Sequence, residues 1–205
     1  VELLMGRGEG NPSGTNELEA RALARINSES LRLERLVTSL LQLDLADTST
    51  TSIAEFSMTT LVSDTFGDLT QFSERAVDQR LEDVLVTGSQ DGWAQLLSNL
   101  AQNISRYTPA GTPVTVRLKH TDKGGESWFT LTVDDGGPGI PIHNREMIFD
   151  RFTRLDQARD SSTGGFGLGM SIIKSVVVAH QGELALDDSP LGGLRVEISA
   201  PTNPH

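Results

Sequence analysis

A chain of 205 residues, 37% of them hydrophobic, can bury one core of ordinary size, or one core and a small appendage. A formal charge of −11 excludes non-specific nucleic-acid binding and docking on an anionic membrane surface, both of which need an excess of Lys and Arg. The absence of cysteine excludes disulfides and thiolate metal sites and fits a reducing compartment. No apolar run reaches the roughly 18 residues of a membrane span, and the opening VELLMGRGEG lacks the length and basic start of a signal peptide.

In chain order, residues 1–14 hold a short apolar piece (Val1, Leu3, Leu4, Met5) and a turn, GRGEGNPSG. Thr15 or Asn16 is placed to cap a helix that runs to about residue 47 without glycine or proline. Its length and apolar spacing favour one leg of a helical hairpin over a single long core helix. Residues 48–57, small and polar, read as a linker between domains 1–47 and 58–203. A helix is predicted over 58–73, a strand over 83–87, a turn over 88–91 and an amphipathic helix over 92–106. Residues 107–112 break it. Residues 113–120 and 127–134 alternate as strands of a hairpin joined by 121–126. Residues 135–142 are rich in glycine and proline, 144–154 hold a short helix-like patch, and 155–165 are polar and expected to be mobile. Glycines 164, 165, 167 and 169 then lead into a helix with Leu168, Ile172, Ile173, Val176 and Val177 on one face, followed by strands at 183–187 and 195–199. The pattern is a layered α+β one without internal repeats.

Three features carry chemistry. The glycine-rich loop before the last helix leaves backbone N–H groups for an anion, although such loops are common. Asn99, Asn103 and Arg106 lie on one face of helix 92–106, where two carboxamide oxygens can serve one hard cation and the guanidinium can meet a phosphate. The alternative is a solvated helix face. In VDDGGPGI, an aspartate at a strand end can accept from an exocyclic amine, and Gly137 and Gly139 would let a flat ring approach the backbone. The alternative there is ordinary turn chemistry.

The order NLAQNISRYTP, DDGGPGIP, IFDRFTR, GGFGLGMSIIK resembles the N box, first glycine box, F box and second glycine box of bacterial sensor histidine kinases. These belong to the gyrase, heat-shock-chaperone, histidine-kinase and mismatch-repair ATPase superfamily. The resemblance spans roughly residues 60–200, and LVTSLLQLDLAD resembles the second helix of the family's dimerisation and phosphotransfer domain. It implies an α/β sandwich of the Bergerat type: a mixed, mostly antiparallel sheet with helices on one face, preceded by the long helix of the hairpin. It also implies ATP and Mg2+ as cofactors. Asn103 is the expected Mg2+ ligand, with Asn99 assisting or orienting water. Arg106 and Tyr107 would edge the phosphates, and Asp135 would bind the adenine amine. Gly137, Gly139 and Ile140 would shape the pocket. Phe149 and Phe152 would anchor the base of a lid over 155–163, with Arg154 approaching the γ-phosphate. Gly165, Gly167, Leu168 and Gly169 would hold the lid's end and the phosphates.

Three departures bear on affinity: Ile104 where the N box has a small residue, Phe166 where the second glycine box has threonine, and GSQDGW over 88–93. The four histidines, at 120, 143, 180 and 205, lie outside any phosphoacceptor motif, so the acceptor is expected before residue 1 and the chain resembles a fragment beginning just after it. All four read as structural or solvated; His180 ends the glycine-box helix, where the dipole favours its charged form. The implied enzyme is a protein-histidine kinase that passes phosphate to a response-regulator receiver domain and forms a homodimer through the hairpin. It would be the cytoplasmic part of a membrane-anchored sensor, with no nucleic acid and no membrane contact in this piece, which would bind ATP without autophosphorylating. Three rivals are set beside it: an ATP-hydrolysing relative, which needs a glutamate where Asn99 stands; an anti-sigma-type serine kinase, which would lack helix 17–47; and an ATP-sensing pseudokinase.

Overall fold

The structure, a computed structural model, describes residues 53–73, 75–153 and 167–204. The expectations for residues 1–52, including the cap at Thr15 or Asn16 and the helix over 17–47, lie outside these residues. So do those for Arg154, the lid over 155–163, Gly165 and Phe166. The described elements are β1 (Ile53–Ser57), α1 (Met58–Ser73), β2 (Val77–Leu81), β3 (Leu85–Ser89), α2 (Gln90–Tyr107), β4 (Val114–Lys123), β5 (Glu126–Asp135), α3 (Gly169–Ala179), β6 (Glu183–Asp188) and β7 (Leu194–Pro201). Two short 3-10 turns, Ile142–Asn144 and Met147–Phe149, precede α3.

Five strands form one sheet in the order β2-β4-β5-β7-β6, and β1 pairs with β3 in a separate two-stranded ladder. Only β2 and β4 run parallel; β4-β5, β5-β7 and β6-β7 are antiparallel. The sheet is thus mixed and mostly antiparallel, as expected. The period-2 pattern sets its register. Val116 faces Val133, which faces Val196, which faces Leu186. One step along, Leu118, Leu131, Ile198 and Leu184 form the next row. These rows make the buried face, and each fully buried side chain contributes about 1.5–3 kcal/mol. The opposite face carries Thr115, Arg117, Thr132, Asp134, Arg195 and Glu197 in alternation.

The helices cover the apolar face. Helix α2 presents Trp93, Leu96, Leu97, Leu100 and Ile104 inward, and the Trp93 and Phe129 rings meet edge-on at 5.3 Å. Helix α1 adds Met58, Val62, Phe66 and Leu69, and α3 adds Ile172, Ile173, Val176 and Val177 to the same core. Ser89 caps α2 by accepting from the Gly92 N–H at 3.0 Å.

Several readings shift. Residues 53–57, expected as linker, form β1. This strand pairs with β3 from Ile53↔Ser89 to Ser57↔Leu85 and buries only Phe56, so backbone pairing forms it without an apolar pattern. Strand β2 was not anticipated for a similar reason: VDQRL buries no position fully. Strand β3 lies two residues later than expected, and α2 starts two residues earlier because Ser89 is its cap. The helix-like patch is two 3-10 turns.

His180 also differs from expectation. It is buried; its Nε2 accepts from the Ser89 N–H at 3.1 Å, and its Nδ1–H donates to the Val176 carbonyl at 2.8 Å. An acceptor at Nε2 requires the neutral ring, and burial pushes its pKa down. The helix-end field loses to desolvation. His180 thereby ties the end of α3 to the start of α2, its ring 5.0 Å from that of Trp93 and tilted by 49°.

Candidate functional site

The site is built outward from α2. Asn99 and Asn103 are one turn apart on the flank of its apolar stripe. The Asn99 Nδ2 donates to the Gln95 carbonyl at 2.9 Å, and the Asn103 Nδ2 donates to the Met170 Sδ at 3.4 Å. With the nitrogens engaged, both Oδ1 atoms are presented together: a Cβ on Gly169 would lie 3.3 Å from each. Gly169 is the first residue of α3, and Leu168 before it is buried and supplies no side-chain cap. Two carboxamide oxygens thus converge at a helix N-terminus whose first N–H groups lack a capping side chain. Among the described residues, no cluster of three or more His, Cys, Asp or Glu could hold a metal by itself. The donors present are hard oxygens, which suit Mg2+ completed by phosphate and water ligands.

The second half of the site is at the end of β5. Asp135 Oδ1 accepts from the Gly137 N–H at 2.8 Å and the Leu194 N–H at 3.2 Å. The Asp135 carbonyl accepts from Gly193 at 3.1 Å. Among the described residues no hydrogen bond falls on Oδ2. Gly193 has to be small: a Cβ there would come within 2.2 Å of Asp135 Oδ1. Burial pushes the Asp135 carboxyl above its ordinary range, opposed by the two N–H bonds, reinforced by the charge of Asp134 and opposed by that of Arg75.

Thr108 joins the halves. It follows the last residue of α2, and a Cβ on Gly137 would lie 2.6 Å from its Cγ2. Gly139, at φ 68°, packs its backbone against Gly193. Ile140 is half-buried, its carbonyl held by the Arg145 Nε at 2.9 Å; Arg145 also pairs with Asp188 on β6 and so fixes this turn to the sheet.

Gly167 and Phe152 lie where residues 154–166 leave and rejoin the described chain. The Phe152 N–H donates to the Gly167 carbonyl at 3.0 Å. Gly167 sits at φ 72°, with Thr153 O only 2.5 Å from where a Cβ would be. Phe152 itself takes φ 67° and leaves its ring 58% exposed, so its backbone rather than its ring makes this junction. Phe149 has the Lys174 Nζ 5.4 Å from its ring centre. Arg106 is half-buried and forms no ion pair among the described residues; Tyr107 is 41% exposed at the end of α2.

The structure therefore brings Asn99, Asn103, Leu168 and Gly169 to one end and Asp135, Gly137, Gly139 and Ile140 to the other. Arg154 and Gly165 lie outside the described residues. Thr108, Arg75, Arg145 and the Leu194 N–H were not foreseen. The turn at 190–193, between the strands expected at 183–187 and 195–199, closes over Asp135 through the pairing of β5 with β7.

The sequence pattern of the family described as "Histidine kinase-, DNA gyrase B-, and HSP90-like ATPase" matches residues 88–204. The sensor histidine kinase CpxA of Escherichia coli (strain K12) is 31% identical over 192 residues, 89% of this chain and 40% of that protein. WalK of Bacillus subtilis (strain 168), also a sensor histidine kinase, is 32% identical over 198 residues, 90% of this chain and 31% of that protein. The chain spans at most about two fifths of these relatives. Among solved structures, the mycobacterial sensor histidine kinase MprB aligns with TM-score 0.64 and 28% identity, over 75% of this chain and 100% of that one. Full-length ShkA in complex with AMPPNP shares the fold at TM-score 0.70 and 21% identity, over 89% of this chain and 39% of that one.

Proposed function

Because this chain belongs to the histidine kinase-, DNA gyrase B-, and HSP90-like ATPases, we propose that it binds Mg-ATP as the catalytic domain of a two-component sensor histidine kinase. In the longer protein, the γ-phosphoryl group passes to a histidine outside this chain and then to an aspartate on a response regulator. The observation that carries the reading is the pairing of Asn99 and Asn103 Oδ1 at Gly169, with Asp135 Oδ2 left open beyond Thr108.

Asp135 Oδ2 accepts the adenine amine, while Gly137 and Gly139 let the ring lie near the backbone. Asn103, assisted by Asn99, would hold Mg2+, whose charge would offset that of the phosphate oxygens. Arg106, Tyr107 and Arg154 edge the phosphates, and Gly165, Gly167, Leu168 and Gly169 hold the end of the lid. Transfer of this kind depends on position and charge neutralisation. Asn99 cannot accept a proton, which separates the site from one that activates water. Residues 17–47, outside the described residues, are assigned to dimerisation of the longer protein. No described helix is long and apolar enough to cross a membrane, and the kinase part acts on the cytoplasmic side of a membrane-anchored sensor.

The test is calorimetric titration of the chain with a non-hydrolysable ATP analogue, with and without Mg2+. Saturable, Mg-enhanced binding is expected, and no binding would sink the reading. Adding the phosphotransfer helix in trans with ATP is expected to label its histidine.

A further inference from the structure

Arg75 lies between α1 and β2 and is 4% exposed. Its guanidinium donates to the side-chain oxygen of Thr108, to the carbonyls of Thr108 at 2.8 Å and Pro109 at 2.9 Å, and to that of Ser105 at 3.3 Å. These acceptors close the C-terminal end of α2, where carbonyls lack helical partners and a cation is favoured. Among the described residues Arg75 forms no salt bridge, and its Nε has no partner. Burying a guanidinium costs more than a helix end requires, since glycine or water commonly closes one. Thr108 Oγ1 also donates to the Ile104 carbonyl at 2.7 Å, so its rotamer is held from two sides with Cγ2 against Gly137. Gly137 in turn donates to Asp135 Oδ1.

We propose that Arg75 is a positioning residue of the nucleotide site: through Thr108 and Gly137 it sets the place of the Asp135 carboxylate that reads the purine amine. The inference rests on the nucleotide-binding reading above. Arg75 also opposes the charge of Asp134 on Asp135. Asp135 therefore remains an acceptor to lower pH than it would without Arg75. An ionised acceptor suits the amine of adenine and repels the carbonyl of guanine, so the ratio of ATP to GTP affinity reports on it.

The experiment measures dissociation constants for ATP and GTP between about pH 8 and about pH 5, for the wild-type chain, Arg75→Met, Arg75→Lys and Thr108→Val. Comparing proteins on the same ligands cancels the ligands' own titration. Arg75→Met is expected to weaken ATP about tenfold at neutral pH, to narrow the ATP:GTP ratio and to move the acid loss of ATP binding to higher pH. Arg75→Lys restores the pH profile with part of the affinity. Thr108→Val weakens ATP without moving the profile. A folded Arg75→Met protein with the wild-type ratio and profile overturns the inference. Should Arg75→Met fail to fold, wild-type ATP binding by Thr108→Val overturns it instead. Absence of ATP binding by the wild-type chain overturns the nucleotide reading and this inference together; unchanged variants beside a binding wild type overturn this inference alone.

Discussion

Asp134 and Asp135 are adjacent in the chain and occupy opposite faces of β5. Asp134 is fully buried between two arginines, bonded to the Arg117 Nη1 at 2.9 Å and the Arg195 Nε at 2.8 Å. Asp135 faces the helix side, with one oxygen held by backbone N–H groups. The two carboxylates therefore respond differently to the same substitution. Asp134→Asn leaves two part-buried guanidiniums short of an anion and is expected to cost about 1–3 kcal/mol in denaturant unfolding, with ATP affinity nearly retained. Asp135→Asn keeps the Oδ1 acceptor but sets an amide donor against the adenine amine. It is expected to fold, and to lose ATP affinity by an order of magnitude or more.

The pH dependence of Asp135 follows from its raised pKa. The folded state binds this proton more tightly than the unfolded chain. The group thus detracts from stability above the raised value, and the cost fades as pH falls toward the ordinary 3.8. At neutral pH, unliganded Asp135→Asn is expected to melt at or above the wild-type temperature. ATP affinity of the wild type should fall at higher pH than an ordinary carboxylate would dictate, and the variant should lack that limb.

His180 works in the opposite sense. Its folded pKa is lowered, so the unfolded chain binds the proton more tightly, and stability declines as pH drops below the ordinary 6.5 until the folded pKa is passed. His180→Phe removes the acceptor of the Ser89 N–H. It should cost about 1–3 kcal/mol at pH 7.5 and flatten the acid slope, as read from melting temperatures across that window.

Magnesium binding should require nucleotide, since the donors at Gly169 are two neutral carboxamides. Titration with Mg2+ alone is expected to give no saturable heat. Asn103→Ala should remove most of the Mg-dependent gain in ATP affinity and leave Mg-free binding largely unchanged. Equal Mg dependence in variant and wild type would argue against Asn103 as the ligand.

Glycine substitutions separate strain from space. Gly167→Ala meets the Thr153 carbonyl at 2.5 Å and keeps φ 72°, so a loss of about 2 kcal/mol or more is expected. Gly192→Ala, at φ 96° with nothing within 4 Å, bears only the backbone cost of roughly 1–2 kcal/mol. Gly67→Ala, inside α1 with nothing within 4 Å, should add about 0.5–1 kcal/mol. Chemical denaturation of the three variants orders them.

Legibility in the sequence followed the strength of side-chain patterning. Helix α2 was visible because Trp93, Leu96, Leu97, Leu100 and Ile104 repeat at helical spacing, and the β4-β5 hairpin because its apolar positions alternate. Strands β1 and β2 hide because hydrogen-bond pairing, not burial, defines them. Within the candidate site, motif order singled out Asn99, Asn103 and Asp135 as candidates, whereas the residues that contact and hold them were not anticipated. Arg75 is separated from Thr108 by more than thirty positions, and no local spacing announces that contact. The helix-end rule failed at His180 because it weighs a surface field and ignores enclosure.

Helix α2 also acts as a gauge. Asn103, beside Gly169 of α3, and Thr108, against Gly137, are joined by continuous helix and its cap. At about 1.5 Å of rise per residue, their separation along the axis is roughly 7.5 Å, a length fixed by main-chain hydrogen bonds and not adjustable by side chains. A single inserted residue between them would lengthen this span and swing Asn99 and Asn103 about 100° apart from Thr108. Any change in the distance between the two ends of the proposed site would therefore have to come through a change of chain register in α2.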